Sequence, residues 1–469
     1  MCNVKDASVC LSSLVFVCVR LCGHNTWKSI AASPDYDYRL LKQVSQELQR
    51  CRQAADWRGL LFHLSNVLHR KFCSMHNERL YSHGYHGTKH AIKSFYCNVV
   101  EQLSFLCTSD FGPEFTTRAK LRFFQRARRT LGKTALCLSG GGALAMYHVG
   151  CARAMVRGNC LPSIISGTSG GAIIAALVCT RNDAELRDPD FLSPTICTRY
   201  GPENRWLPTL QQQVDSFVKS RVLMDHRVFQ RSAQVIFGAS LTFEAAYRHS
   251  QRELNVTVTW SGTAQGKPHP LVLNHISAPT VLVWSAVTCS CALPGLMTPQ
   301  SLMCLGPDGS FVPYYPSDSG MEVVDGSLQA DIPVQRLSEL FNAQSFIVSQ
   351  TNPHIRDFVR DGREGSAAAP TGMLLGPRSR IFEVLSGFDK FLRADIGHRL
   401  RRLAKLKVIP KIYGQDFSHV ISGNQQYTGD VTIGTRTHTQ THTQESDRQV
   451  TGWLEIQSFL ASHCWSLRV

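Results

Sequence analysis

The apolar positions of this chain follow two rhythms in succession. Between residues 35 and 130 they recur every three or four places: Leu40, Leu41, Val44 and Leu48 form one stripe, Leu60, Leu61, Leu64, Val67 and Leu68 a second, and Ile92, Phe95, Tyr96, Val99, Val100, Leu103 and Leu106 a third. Such spacing collects each set on one side of a helix, so this region reads as a helical domain with a core of its own. From about residue 131 the rhythm shortens. Residues 134–139 (TALCLS) read as a buried strand that runs through three glycines into a helical pattern ending near Gly150. Residues 161–178 (LPSIISGTSGGAIIAALV) repeat the plan, with Ile164 and Ile165 before the turn and an unbroken apolar helix after it. Leu254, Val256, Val258 and Trp260 alternate as a half-buried strand, and residues 279–291 predict a helix with Pro279 in its opening turn. Val323 and Val324 finish a further strand, and residues 346–349 make another. Strands alternating with helices predict an α/β fold with a mainly parallel central sheet flanked by helices, preceded by the α-helical domain.

Three turns in the second region carry candidate chemistry. Gly167-Thr168-Ser169-Gly170-Gly171 joins a strand to a helix. A G-x-S-x-G turn in that setting is a nucleophile elbow: small neighbours let the two backbones approach, and the serine stands at a strained apex over the positive end of the helix. Ser169 is therefore the candidate nucleophile, with Gly167 and Gly171 as the elbow glycines. Upstream, Gly140-Gly141-Gly142 leaves backbone N–H groups uncovered by Cβ atoms, a cradle for negative charge. The run lacks the Lys-Ser/Thr of a phosphate loop, and no acidic residue closes a second strand about twenty residues on, as a dinucleotide site requires. Beside a serine elbow, these three amides suit an oxyanion hole. Downstream, Asp325-Gly326 sets a carboxylate at a strand end next to a residue that turns freely.

Taken in order, the glycine triplet, the Ser169 elbow and Asp325-Gly326 resemble the patatin-like phospholipase family. The segments HNERLY (76–81), HGTK (86–89), SAVTCSCALPG (285–295) and FIVSQTNPH (346–354) are similar to its intracellular triacylglycerol lipase branch, over roughly residues 35–433. The resemblance implies a patatin-type three-layer domain over residues 131–350 behind a helical domain at 35–130. It implies a Ser-Asp dyad: Ser169 attacks an ester, Asp325 takes its proton, and Gly140, Gly141 and Gly142 hold the oxyanion, with no metal and no organic cofactor. The implied substrate is triacylglycerol, with phospholipid as the alternative, and the implied place is intracellular, at a lipid droplet or as a peripheral membrane protein, the endoplasmic reticulum included. Ala145 stands where the family more often has glycine, and Ser327 where many members have glycine or alanine; neither removes a reacting atom. A triad using His354 or His419 rivals the dyad, since a histidine follows the acid in the α/β-hydrolase order. Transfer of the acyl group from Ser169 to a lysophospholipid, and a non-catalytic lipid-droplet scaffold, are the other functions left open.

Charge narrows the partners. The 469 residues carry 50 Lys+Arg against 35 Asp+Glu, a formal net charge of +15. No zinc-finger spacing, RNP-type aromatic strand or basic heptad region accompanies it, so an anionic membrane or droplet surface fits better than nucleic acid. Basic residues gather at residues 120–129 (KLRFFQRARR) and in the second half of 380–407, a helical pattern that makes the better candidate for membrane contact. Seventeen cysteines, an odd number without framework or metal spacing, read as free thiols of a reducing compartment. The triplet Asn255-Val256-Thr257 falls inside a strand and is discounted as a glycosylation site. Residues 1–34 read as a leader, disordered or interfacial, whose apolar run is too short to span a bilayer. Residues 351–433 read as a helical, partly basic and amphipathic extension, and 434–469 as a low-complexity tail rich in Thr, His and Gln.

Overall fold

The computed structural model describes residues 26–77, 79–82, 88–188, 226–260, 269–293, 297, 300–314, 323–328, 331–352 and 427–434. His354, His419, the basic stretch 380–407, the Thr/His/Gln tail and the first 25 residues of the leader lie outside the described residues. The chain forms two compact units, residues 1–133 with 437–469, and residues 134–436.

The first unit is built on the helices Tyr38–Gln53, Trp57–Val67, His90–Thr108 and Thr117–Leu131. Asp37, Asp56 and Thr116 cap three of them by accepting the amides of Leu40, Gly59 and Ala119. The apolar stripes turn inward: Leu41, Leu48, Leu60, Leu64, Ile92, Phe95, Val99, Leu103 and Leu106 belong to one buried cluster. Leu40 departs from this, at 41% exposure. One residue is a 100° turn on a helix, which carries Leu40 off the line through Leu41 and Leu48. Within KLRFFQRARR, Phe124 is buried and Phe123 packs on the same core. Its aromatic part thus faces the interior, leaving Arg122, Arg126 and Arg128 exposed. The HNERLY and HGTK segments brace this unit. Asn77 donates to Asp35 O, Tyr81 to Met75 O and Thr88 to Leu80 O. The buried Lys89 donates to Trp27 O and Ile30 O at 2.8 and 2.9 Å, its ammonium 4.1 Å from the Trp27 ring centroid.

The second unit carries a seven-stranded sheet among the described residues. Its strands are β1 (Lys133–Leu138), β2 (Ile164–Thr168), β3 (Glu253–Trp260), β4 (His269–Leu273), β7 (Val323–Asp325), β8 (Ala343–Gln350) and β9 (Val431–Gly434). A separate hairpin joins β5 (Met303–Leu305) to β6 (Phe311–Pro313), so the Gly-rich turn after residue 305 is a hairpin loop. The order is β4-β3-β2-β1-β8-β9; β1–β2, β2–β3 and β8–β9 are parallel and β4 is antiparallel to β3. Alternate residues of the strands, Ala135 and Cys137, Phe346 and Val348, share a core cluster with Leu337 and Phe341 of the helix Val334–Phe341. The helix Gly170–Cys179, every residue of it buried, packs with Val283–Ser290 against β2 and β3.

One detail of the register positions the site. β2 follows one edge of β3 as far as the pair Thr168–Thr257, and there the chain turns away. β7 occupies the same edge from the other direction, pairing Trp260 with Val323 and ending at Val258 opposite Asp325. It must use that edge, because β4 covers the opposite one from Val256 to Trp260. The ends of β2 and β7 therefore meet head to head on β3.

Several boundaries differ from the sequence pattern. The helix after the glycine triplet passes Gly150 and ends at Arg157, opened by a 3-10 turn over Gly142–Met146. The helix expected from Pro279 starts at Val283, because Val281 and Leu282 are held in bridges to Cys304 and Thr242. After Thr180 the chain forms the short helix Asp183–Leu186, closed by an Asn182–Glu185 capping box. The described end of the C-terminal extension adds strand β9 instead of helix. Asn255 is fully buried and donates to Glu253 O, which closes it to glycosylation. Among the described residues the cysteines are free, and no helix is long and apolar enough to cross a membrane.

Candidate active site

Ser169 occupies the turn between β2 and the helix Gly170–Cys179, with φ 53° and ψ −127°. A non-glycine residue there costs about 1–3 kcal/mol and persists only where its surroundings enforce it. They do. The Ser169 amide donates to Ser290 Oγ at 2.8 Å, and Ser290 donates in turn to Thr257 O at 2.7 Å, so the helix Val283–Ser290 pins the apex to β3. On either side, Gly167 and Gly171 allow backbone to touch backbone. A side chain at Gly167 would begin 2.5 Å from Gly171 O, and one at Gly171 would overlap the carbonyl oxygens of Leu138 and Ser139.

Asp325 ends β7 and is 1% exposed. Its amide is held by Ala292 O at 3.1 Å, and its Oδ1 accepts the Ser327 amide at 2.8 Å. The Ser169 side chain lies near enough to favour its charged form. Burial pushes the Asp325 carboxyl up to about 6, and the bond from the Ser327 amide, with the nearby Ser169 side chain, restrains that rise.

The glycine triplet follows β1 and lies beside both groups: a side chain at Gly140 would begin 3.4 Å from the Cβ atoms of Ser169 and Ser327. Its geometry is fixed from far along the chain. Gly140 N donates to Asp331 Oδ1 at 2.8 Å, and Gly140 O accepts from Thr351 Oγ1 at 2.9 Å and Ser139 Oγ at 3.0 Å. The amide of Gly140 is thus committed to Asp331, which corrects the expectation that three amides face an oxyanion and leaves those of Gly141 and Gly142 as the candidates. Gly141, at φ 152°, lies against Thr351, whereas Gly142, at φ 57°, borders open space. Ala145, in place of a further glycine, is buried against Gly170.

Two residues stand behind the site. His148 is buried, with Nε2 2.9 Å from Ser139 O and Nδ1 2.7 Å from Ser349 Oγ. A carbonyl only accepts, so Nε2 carries the proton and Nδ1 accepts from the Ser349 hydroxyl. Burial lowers this imidazole to about 4, and it stands as a neutral brace between β1, β8 and its own helix. Asp331 is 2% exposed and pushed up to about 7, chiefly by burial and further by the charge of Asp325. Among the described residues no cluster of His, Cys, Asp or Glu is arranged to hold a metal ion.

The site of this α/β fold thus sets a serine on a strained strand-to-helix turn near a buried carboxylate and a glycine loop. The comparisons name the family. Residues 136–337 match the model of the patatin-like phospholipases and residues 20–129 that of a domain of unknown function, DUF3336. The chain is 32% identical over 420 residues to the triacylglycerol lipase ptl2 of Schizosaccharomyces pombe, a match covering 89% of this chain and 64% of that protein. It is 33% identical over 432 residues to a patatin-like phospholipase domain-containing protein of Aspergillus terreus, covering 88% of this chain and 58% of that one. The chain spans about three fifths of the length of these relatives. It carries a patatin-like phospholipase domain preceded by a DUF3336 domain.

Proposed function

We propose that this chain is a serine lipase that hydrolyses triacylglycerol at a lipid surface through a Ser169–Asp325 dyad. The observation that carries the reading is a serine on a strained strand-to-helix apex beside the carboxylate of Asp325, which burial raises from the ordinary 3.8 to about 6. A base tuned toward neutrality accepts a proton more readily, and positioned proton transfer contributes about 10²–10⁴-fold. Ser169 Oγ bonds to the ester carbonyl carbon as its proton passes to Asp325. The amides of Gly141 and Gly142 receive the resulting oxyanion. Collapse expels the diacylglycerol oxygen, which takes the proton back, and water repeats the sequence to free the fatty acid from Ser169.

The choice of triacylglycerol rests on the named activity of the fission-yeast relative. The lipid surface is favoured by the apolar turn that follows the glycine triplet, where Leu144 is 39% and Tyr147 56% exposed within five residues of Gly142. The test compares wild type, Ser169→Ala and Asp325→Asn on emulsified triolein and on phospholipid vesicles. Ser169→Ala should lower fatty-acid release by at least ~10³-fold and Asp325→Asn by ~10²–10⁴-fold. Because Asp325 accepts a proton only when ionised, log kcat should fall with unit slope as pH drops below about 6. Undiminished triolein release by Ser169→Ala would overturn the nucleophile; faster turnover of vesicles than of triolein would overturn the substrate.

A further inference from the structure

Asp331 lies six residues beyond Asp325 and reaches both turns of the site at once. Its Oδ1 accepts Gly140 N at 2.8 Å and its Oδ2 accepts Asn352 Nδ2 at 2.7 Å, while its own carbonyl oxygen accepts Thr168 Oγ1 at 2.7 Å. The side chain thus grips the residue before Gly141, and the main chain grips the residue before Ser169. We propose that Asp331 is the positioning residue that sets the distance between the glycine-loop amides and the Ser169 hydroxyl. It acts through Gly140 and Thr168 and does no chemistry itself. This rests on Ser169 being the nucleophile.

The chemistry of the position favours a coupling role over filling space. A carboxylate is costly to bury, and an apolar side chain would occupy the same volume without that cost. Its carboxyl is pushed up to about 7, and the titratable groups facing it are Asp325, Cys137 and Tyr427. Burial raises the thiol and the phenol, the latter to about 12, so both stay neutral and only Asp325 adds charge. Whether ionised or protonated, Asp331 keeps an acceptor oxygen for the Gly140 amide. Asparagine keeps one too, and a turned Asn352 amide accepts its NH₂.

The experiment measures kcat, KM and the rate of labelling by a fluorophosphonate, in which Ser169 Oγ bonds to phosphorus, fluoride leaves and the hydroxyl proton passes to Asp325. Asp331→Ala should lower kcat and the labelling rate about 10²-fold with KM within about threefold, since misplaced groups lose transition-state contacts more than binding. Asp331→Asn should stay within about fivefold of wild type in both. If Asp331→Ala does not fold, Asn352→Ala takes its place: it frees the far side of the carboxylate and should lower kcat about tenfold. Wild-type rates in the folded Ala variant, or equal loss in the Asn and Ala variants, would overturn the proposal. Failure of wild-type protein to label at Ser169 would instead overturn the nucleophile reading on which it stands.

Discussion

The two strand-to-helix turns of the second unit look alike in sequence and are held in different ways. The Gly167–Gly171 turn is fixed mostly by its own neighbourhood: glycines bring β2 onto the helix that follows, and one distant hydroxyl, Ser290, anchors the apex. The Gly140–Gly142 turn is fixed from outside. Asp331 and Thr351, 191 and 211 residues away, hold Gly140, and His148 braces Ser139 against Ser349. The first is a tight local knot and the second a loop suspended from side chains. Substitutions in the first should therefore act through folding, and those on the open side of the second should barely be felt.

The largest effect is expected where the two turns touch. A methyl group at Gly171 would overlap the carbonyl oxygens of Leu138 and Ser139, which belong to the end of β1 and the start of the suspended loop. Backbone presses from that side and the helix from the other, so nothing cheap can move, and overpacking of this kind costs about 1–3 kcal/mol or more. Gly171→Ala should lose most of its soluble folded protein, or melt at least ~5 °C below wild type. A variant that melts normally would show that the turn has more room than its backbone contacts imply, and the contrast with the glycine triplet would collapse.

How far each turn was legible in sequence follows from the same difference. A strand, a G-x-S-x-G turn and an apolar helix are written in consecutive residues, and Val323-Val324-Asp325 announces its own strand end. The helical stripes of the first unit were equally plain, because periodicity of three and four is a local property. Asp331 gave no such signal. Its setting, QADIP ahead of the helix Val334–Phe341, resembles an ordinary helix entry, and its partners Gly140, Thr168 and Asn352 are adjacent only in space. Ser290, in a run of Ser, Thr and Cys, looked like any small helical residue. The head-to-head meeting of β2 and β7 was hidden too, since a strand's choice of edge depends on what covers the other edge. Strand β9 escaped notice because four residues are too few for an alternation to register.

Ser290 tests the long-range tie at the apex of the local turn. Ser290→Ala removes two buried hydrogen bonds, leaving the Ser169 amide and Thr257 O without that partner, at about 1–3 kcal/mol. The strained φ of Ser169 then loses its anchor, and kcat should fall about 10–100-fold as the hydroxyl drifts from Asp325. Thermal melting and kcat measured together check this. A variant that loses stability but keeps kcat would mean that Gly167 and Gly171 alone hold the apex, making the knot more local still.

The smallest effect is expected at Gly142. It has φ 57° and open space where a side chain would start, unlike Gly141, whose side chain would begin 2.5 Å from Thr351 Oγ1. Alanine at this φ costs roughly 1–2 kcal/mol of backbone strain. The substitution keeps the N–H, so an oxyanion donor at this position would survive it. Gly142→Ala should therefore lower stability by about that amount, read as a small shift in urea midpoint, and leave kcat within about threefold. A hundredfold fall in kcat at nearly unchanged stability would carry a different lesson: the open space above Gly142 is where the substrate's acyl chain lies, and the loop's exposed side belongs to the site.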